Sequence, residues 1–142
     1  DEAVTALDVS VRAQIVDLLI ELQRAFGMAM IFISHDLAVV REISHRVMVM
    51  YLGRVMEQAP RDALYKAPRH PYTRALLAAA LIPDPAAERA RPPVKLTGEP
   101  GSPLDPAARL RFLRSKLETE PAYAPRLLEV EPGHWVAEHD PA

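Results

Sequence analysis

Near its start the chain carries functional groups in an order that suits metal-assisted transfer of a phosphoryl group to water: Asp1-Glu2, then Asp8, then Ser34-His35-Asp36. That reaction asks a protein chiefly to position reactants and to offset charge on the transferred phosphate and its leaving oxygen. Asp1 would hold Mg2+, directly or through water. Glu2, one residue on, points elsewhere from the same strand end and would orient or deprotonate the attacking water. His35 would donate to an oxygen of the terminal phosphate, and Asp8, in the loop after Glu2, is placed to carry information across a dimer interface. Each residue also has a plainer reading. An Asp-Glu pair at a strand end is commonly a solvated turn or a helix-start charge. Ser-His-Asp before a helix is commonly a cap with the His on the surface, and Asp8 is commonly an N-cap. The joint pattern is far more specific than any of its parts.

These groups need elements that bring them to one edge. Val9 to Phe26 has apolar residues at Val11, Ile15, Leu18, Leu19 and Leu22, a helical spacing with one buried stripe, and Gly27 is placed as its C-cap. Asp8 or Ser10 would cap its start. Met28 to Ile33 is an apolar run that reads as a strand buried on both faces. A helix of this length rises roughly 27 Å, comparable with the roughly 20 Å of a short strand plus its connections. These lengths therefore allow Glu2 and His35 both to lie at strand C-terminal ends, where ligands sit in open α/β sheets.

Downstream, a short helix is expected from Asp36 to about Ile43, with Ser34 or Asp36 as its cap. Arg46 to Leu52 and Arg54 to Gln58 read as a hairpin about Gly53. Pro60 to Tyr65 and Pro71 to Leu81 read as helices with Pro in the first turn. From Pro83 the composition changes: half of the fourteen prolines fall between Pro83 and Pro106, so Pro83 to Pro93 reads as a linker and the remainder as a small irregular appendage. The expected division is residues 1–82 and residues 83–142.

Composition sets outer limits. At 142 residues, 49% hydrophobic and 25% charged, the chain is ordinary folded material, and a net charge of −2 supplies no general attraction to nucleic acid or anionic lipid. The absence of Cys excludes disulfides and thiolate metal sites. No run approaches the length of a membrane span, so work at a membrane would go through a membrane partner. A phosphate-cradling loop of the form G-x-x-x-x-G-K-[ST] begins at none of Gly27, Gly53, Gly98, Gly101 or Gly133, and no Leu-Ser-Gly-Gly-Gln segment is present. The chain is therefore expected to be the C-terminal part of a longer protein.

Asp1-Glu2-Ala3-Val4-Thr5-Ala6-Leu7-Asp8 resembles the end of the Walker B motif and the D-loop of ABC ATPases, and Ile33-Ser34-His35-Asp36-Leu37 resembles their switch-histidine loop. Val47-Met48-Val49-Met50-Tyr51-Leu52-Gly53-Arg54, His70-Pro71-Tyr72-Thr73-Arg74-Ala75-Leu76-Leu77, Gly101-Ser102-Pro103-Leu104-Asp105-Pro106 and Gly133-His134-Trp135-Val136 are similar to segments of the ATP-binding subunits of oligopeptide and dipeptide ABC importers. The resemblance implies an α/β fold, the C-terminal part of a P-loop ATPase domain with a parallel-sheet core, followed by an importer-type extension. It implies an ATPase using ATP and Mg2+, with Asp1 at the metal, Glu2 and His35 catalytic and Asp8 at the dimer interface. The implied partners are a second ATPase subunit, identical or paralogous, membrane permease subunits and, indirectly, a solute-binding protein, with no nucleic acid. The implied place is the cytoplasmic face of the membrane, peripherally bound.

Two alternatives stand beside this reading: a catalytically inactive remnant or fragment, and a non-transport ABC ATPase acting on DNA or ribosomes. The fragment alone is expected to be inactive, having no phosphate-binding loop. Many of the resembled subunits carry four cysteines for an iron–sulfur cluster in the extension. Leu110 and Glu138 stand at two of those positions, with Lys116 and roughly Tyr123 at the others, so no such cluster is expected and the appendage is expected to be held by packing alone. His70, His134 and His139 lack ligand spacing, and the His-Pro-Tyr segment reads as structural. Tyr72, Leu76 and Leu77 would pack a helix onto the main domain, and Trp135 would anchor the tail.

Overall fold

The computed structural model describes residues 8–80 and 106–141, so Asp1, Glu2 and the Pro83 to Pro93 segment lie outside the described residues. The chain divides into two compact units at His45/Arg46.

In the first unit, α1 (Val9–Phe26) starts at Asp8, whose side chain accepts from Val11 N, and ends at Gly27 with φ of 58°, a left-handed cap that favours Gly. The helix α2 (Leu37–Ile43) is capped by Asp36. Their shared core is Val16, Val39 and Ile43, flanked by Ile15, Leu19, Ile20 and Phe32. The buried stripe of α1 is thus turned from the expected one: Val16 is buried, while Leu18 is 48% exposed.

Residues 28–33 also depart from expectation. They form no strand among the described residues, and Ile31 is 91% exposed. A strand is a product of its ladder, and no described strand lies beside this run to satisfy its N–H and C=O groups.

The second unit is built on one antiparallel sheet. Strands β1 (Arg46–Tyr51) and β2 (Arg54–Pro60) form the expected hairpin, turning at Leu52 (φ 47°) and Gly53 (φ 75°). Two left-handed residues in succession give the turn hand that matches strand twist. Short helices α3 (Arg61–Lys66), α4 (Pro71–Ala80) and α5 (Pro106–Arg109) and a 3-10 turn (Arg114–Lys116) follow. The strands β3 (Leu127–Glu131) and β4 (His134–Ala137) then complete a sheet of order β1-β2-β4-β3.

The tail is therefore not an irregular appendage: β4 pairs with β2, Glu57 opposite Val136 and Gln58 opposite Trp135. Val47, Val49, Glu57, Ala59 and Val136 line the buried face. Trp135 is half-buried on the other face, so the anchors of the tail are His134, Val136 and Ala137 instead. Leu77 is buried, and the ring of Tyr72 lies 4.8 Å from that of Tyr51, as the packing role of α4 requires.

Candidate functional site

Residues 34–36 form a short turn fixed from both sides. Ser34 Oγ accepts from Asp36 N (3.0 Å), and Asp36 Oδ1 accepts from Ala38 N (3.0 Å) and Val39 N (3.3 Å). Asp36, not Ser34, is thus the cap of α2. Its other oxygen, Oδ2, accepts from Arg12 Nη1 at 2.6 Å. Arg12 belongs to the first turn of α1, where Arg12 N donates to Asp8 O at 2.9 Å. Asp8 Oδ1 accepts from Val11 N (3.0 Å) and from the Ser10 hydroxyl (2.8 Å), and these bonds hold its carboxyl below the ordinary Asp value.

His35, at the crown of this turn, is exposed. The structure thus ties Asp8, by way of Arg12, to the carboxylate next to His35. Asp1 and Glu2 lie outside the described residues, and Asp8 and His35 each also fit the capping-turn reading. Arg12 escaped sequence reasoning because an Arg in a helix's first turn reads as a solvated charge; only the fold gives it a partner.

A second polar cluster lies inside the sheet unit. Glu57 is fully buried on β2, and its carboxylate accepts from Arg69 N (2.8 Å), His70 N (3.0 Å) and His134 Nε2 (2.7 Å). Burial pushes its pKa up, but the donors from Arg69, His134 and His70 outweigh burial and leave the carboxyl below its usual value. It joins β2, the start of α4 and β4 at one point. His70 is buried, and its Nδ1 accepts from Tyr72 N (3.1 Å). Burial, reinforced by nearby His139 and opposed by Glu57, lowers His70 to about 4. These are the groups of a structural junction: a fully buried, acceptor-only carboxylate that takes three donors from two other segments ties those segments to its own strand. Among the described residues no three His, Asp or Glu groups come together as a cation site.

The tail is also clasped by polar contacts, which corrects the expectation that packing alone holds it. Glu138 accepts from the Tyr123 hydroxyl (2.5 Å), Arg126 N (3.0 Å) and the Arg126 guanidinium (3.1 Å), and these hold its carboxyl down to about 2. Lys116 lies over the Tyr123 ring at 5.2 Å. Lys116, Tyr123 and Glu138 thus meet in space, and Leu110 is fully buried. No described helix is long and apolar enough to cross a membrane.

Residues 56–108 match the family described as oligopeptide/dipeptide transporter, C-terminal region. Over 112 residues, 79% of the chain, it is 62% identical to a probable peptide ABC transporter ATP-binding protein, y4tS, of Sinorhizobium fredii, covering 31% of that protein. It is 46% identical to a putative oligopeptide transport ATP-binding protein, YkfD, of Bacillus subtilis, over 98% of the chain and 43% of the relative. It is 48% identical to a glutathione import ATP-binding protein, GsiA, of Pectobacterium atrosepticum, over 98% of the chain and 20% of the relative. The chain therefore spans less than half the length of these relatives.

Proposed function

We propose that this chain, which belongs over residues 56–108 to the oligopeptide/dipeptide transporter C-terminal region family, is part of an ATP-binding subunit that energises uptake of peptides or similar solutes. The observation that carries the reading is its likeness, over nearly the whole chain, to relatives named as ATP-binding proteins of peptide and glutathione transport. In this reading residues 1–82 are the C-terminal part of a nucleotide-binding domain with a parallel-sheet core, and residues 83–142 are its importer-type extension, laid back onto the domain where β4 pairs with β2.

The residues divide the chemistry of ATP hydrolysis. A Mg2+ ion held by the chain would supply charge neutralisation at the transferred phosphate. Asp1 would hold that ion, and Glu2 would orient the attacking water and accept its proton. His35 would donate to a γ-phosphate oxygen. An exposed imidazole whose neighbouring carboxylate is engaged by a cap and by Arg12 fits an incoming triphosphate better than one beside an uncompensated anion. Asp8 would face the second ATPase subunit. Closure of two such subunits over ATP and reopening after hydrolysis would drive the permease subunits, with this chain bound peripherally at the cytoplasmic face.

Uptake of a labelled mixed-peptide pool by cells tests the role. Deleting the gene that encodes this chain should lower uptake, and the intact gene supplied in trans should restore it. Uptake unchanged by the deletion would overturn the reading.

A further inference from the structure

We infer that Arg12 is a positioning residue for His35: through Asp36 it locks the histidine turn to the first turn of α1, the turn that Asp8 caps. The inference rests on the reading of His35 as the γ-phosphate donor. Asp36 divides its oxygens between two tasks, Oδ1 to the N–H groups of Ala38 and Val39 and Oδ2 to Arg12 at 2.6 Å. Removing the guanidinium leaves the helix cap in place and releases the link between the histidine turn and α1.

Arg12 is itself fixed, because its N–H donates to Asp8 O and the helix beyond it packs through Val16 onto Val39 and Ile43. The side chains of the pair are 25% and 28% exposed, shielded enough to hold one geometry. The apolar contacts already hold α1 to α2, and ion pairs at partly exposed sites add little to stability. The consequence of this pair therefore lies in where His35 points. The guanidinium also offsets the negative charge one residue from His35.

The test measures ATP turnover and ATP affinity of the intact subunit in four forms: unchanged, Arg12→Gln, His35→Ala and the double variant. Arg12→Gln is expected to lower kcat about tenfold while KM for ATP stays within about twofold, and to lower kcat no further in the His35→Ala background. A kcat for Arg12→Gln within about twofold of the unchanged subunit, with His35→Ala slow, overturns the inference alone. Independent, multiplying losses in the double variant also overturn it, because Arg12 then acts elsewhere than through His35. Unchanged turnover in His35→Ala removes the reading of His35 and the inference with it. Should Arg12→Gln fail to fold, Asp36→Asn, which retains a capping acceptor and loses the ion pair, is read against the same outcomes.

Discussion

Glu57 carries more of the second unit than its place in the chain suggests. A charged residue between Met56 and Gln58 reads as the solvent side of a strand, yet it is fully buried and tied to Arg69, His70 and His134. Removing a buried charge's counterpart leaves the other group stranded, so Glu57→Gln should cost about 3 kcal/mol in urea unfolding of the chain. An unchanged midpoint would mean that the junction is dispensable. Acid should act in the same direction. Unfolded His70 takes up a proton near pH 6.5, whereas the folded residue holds it off until about pH 4, so its contribution is complete above that window and is lost as pH falls through it. Glu57, with its folded value lowered, adds a further loss at lower pH. The expected effect from His70 is on the order of 2–3 kcal/mol between pH 7 and 4. His70→Gln should flatten the pH profile, and an equally steep one would place the titration elsewhere. At this scale the sequence was legible only where a residue's partners are local. Asp8 and Asp36 could be recognised as caps, but Arg12 meets Asp36 and Glu57 meets His134 across separations that no spacing rule spans.

Elements with local causes were the most readable. Asp36 as a cap, Pro71 in a first turn and Gly53 at a hairpin each act within a few residues, and α2, α4 and the β1–β2 hairpin form where those signals stand. The hairpin also holds a defect: Leu52 sits at φ 47°, where a side-chain-bearing residue is strained. Leu52→Asn should raise stability by about 0.5–1 kcal/mol, seen as a higher thermal midpoint, because Asn tolerates this conformation; a lower midpoint would show that the Leu52 side chain contributes more than its backbone costs. Elements with distant causes were not readable. The run 28–33 has strand composition without a described neighbour, and β3 and β4 owe their place to pairing with a hairpin far upstream. The clasp at Glu138 holds that return. Tyr123→Phe, which removes the hydroxyl donor, should speed tryptic cleavage at Arg126 and amide exchange along β3, whereas unchanged rates would leave the tail held by β2–β4 pairing alone.

For the molecule as a whole, its kinship was more legible than its chemistry. The His-Pro-Tyr segment falls within the residues that match the transporter C-terminal region, and in the structure it is explained by packing: His70 is buried beside Glu57 and Tyr72 lies against Tyr51. The two units thus embody different kinds of information. The second records a structural junction, and the first carries the turn on which the proposed catalytic role of His35 depends. The proposed division of labour makes Glu2 the group that turns bound ATP into hydrolysed ATP. The most direct measurement is therefore ATP binding and single-turnover hydrolysis by the intact subunit carrying Glu2→Gln. ATP affinity is expected within about twofold of the unchanged subunit and hydrolysis slowed by at least about a hundredfold, because an amide cannot accept the water's proton. Hydrolysis at the unchanged rate would contradict that role for Glu2.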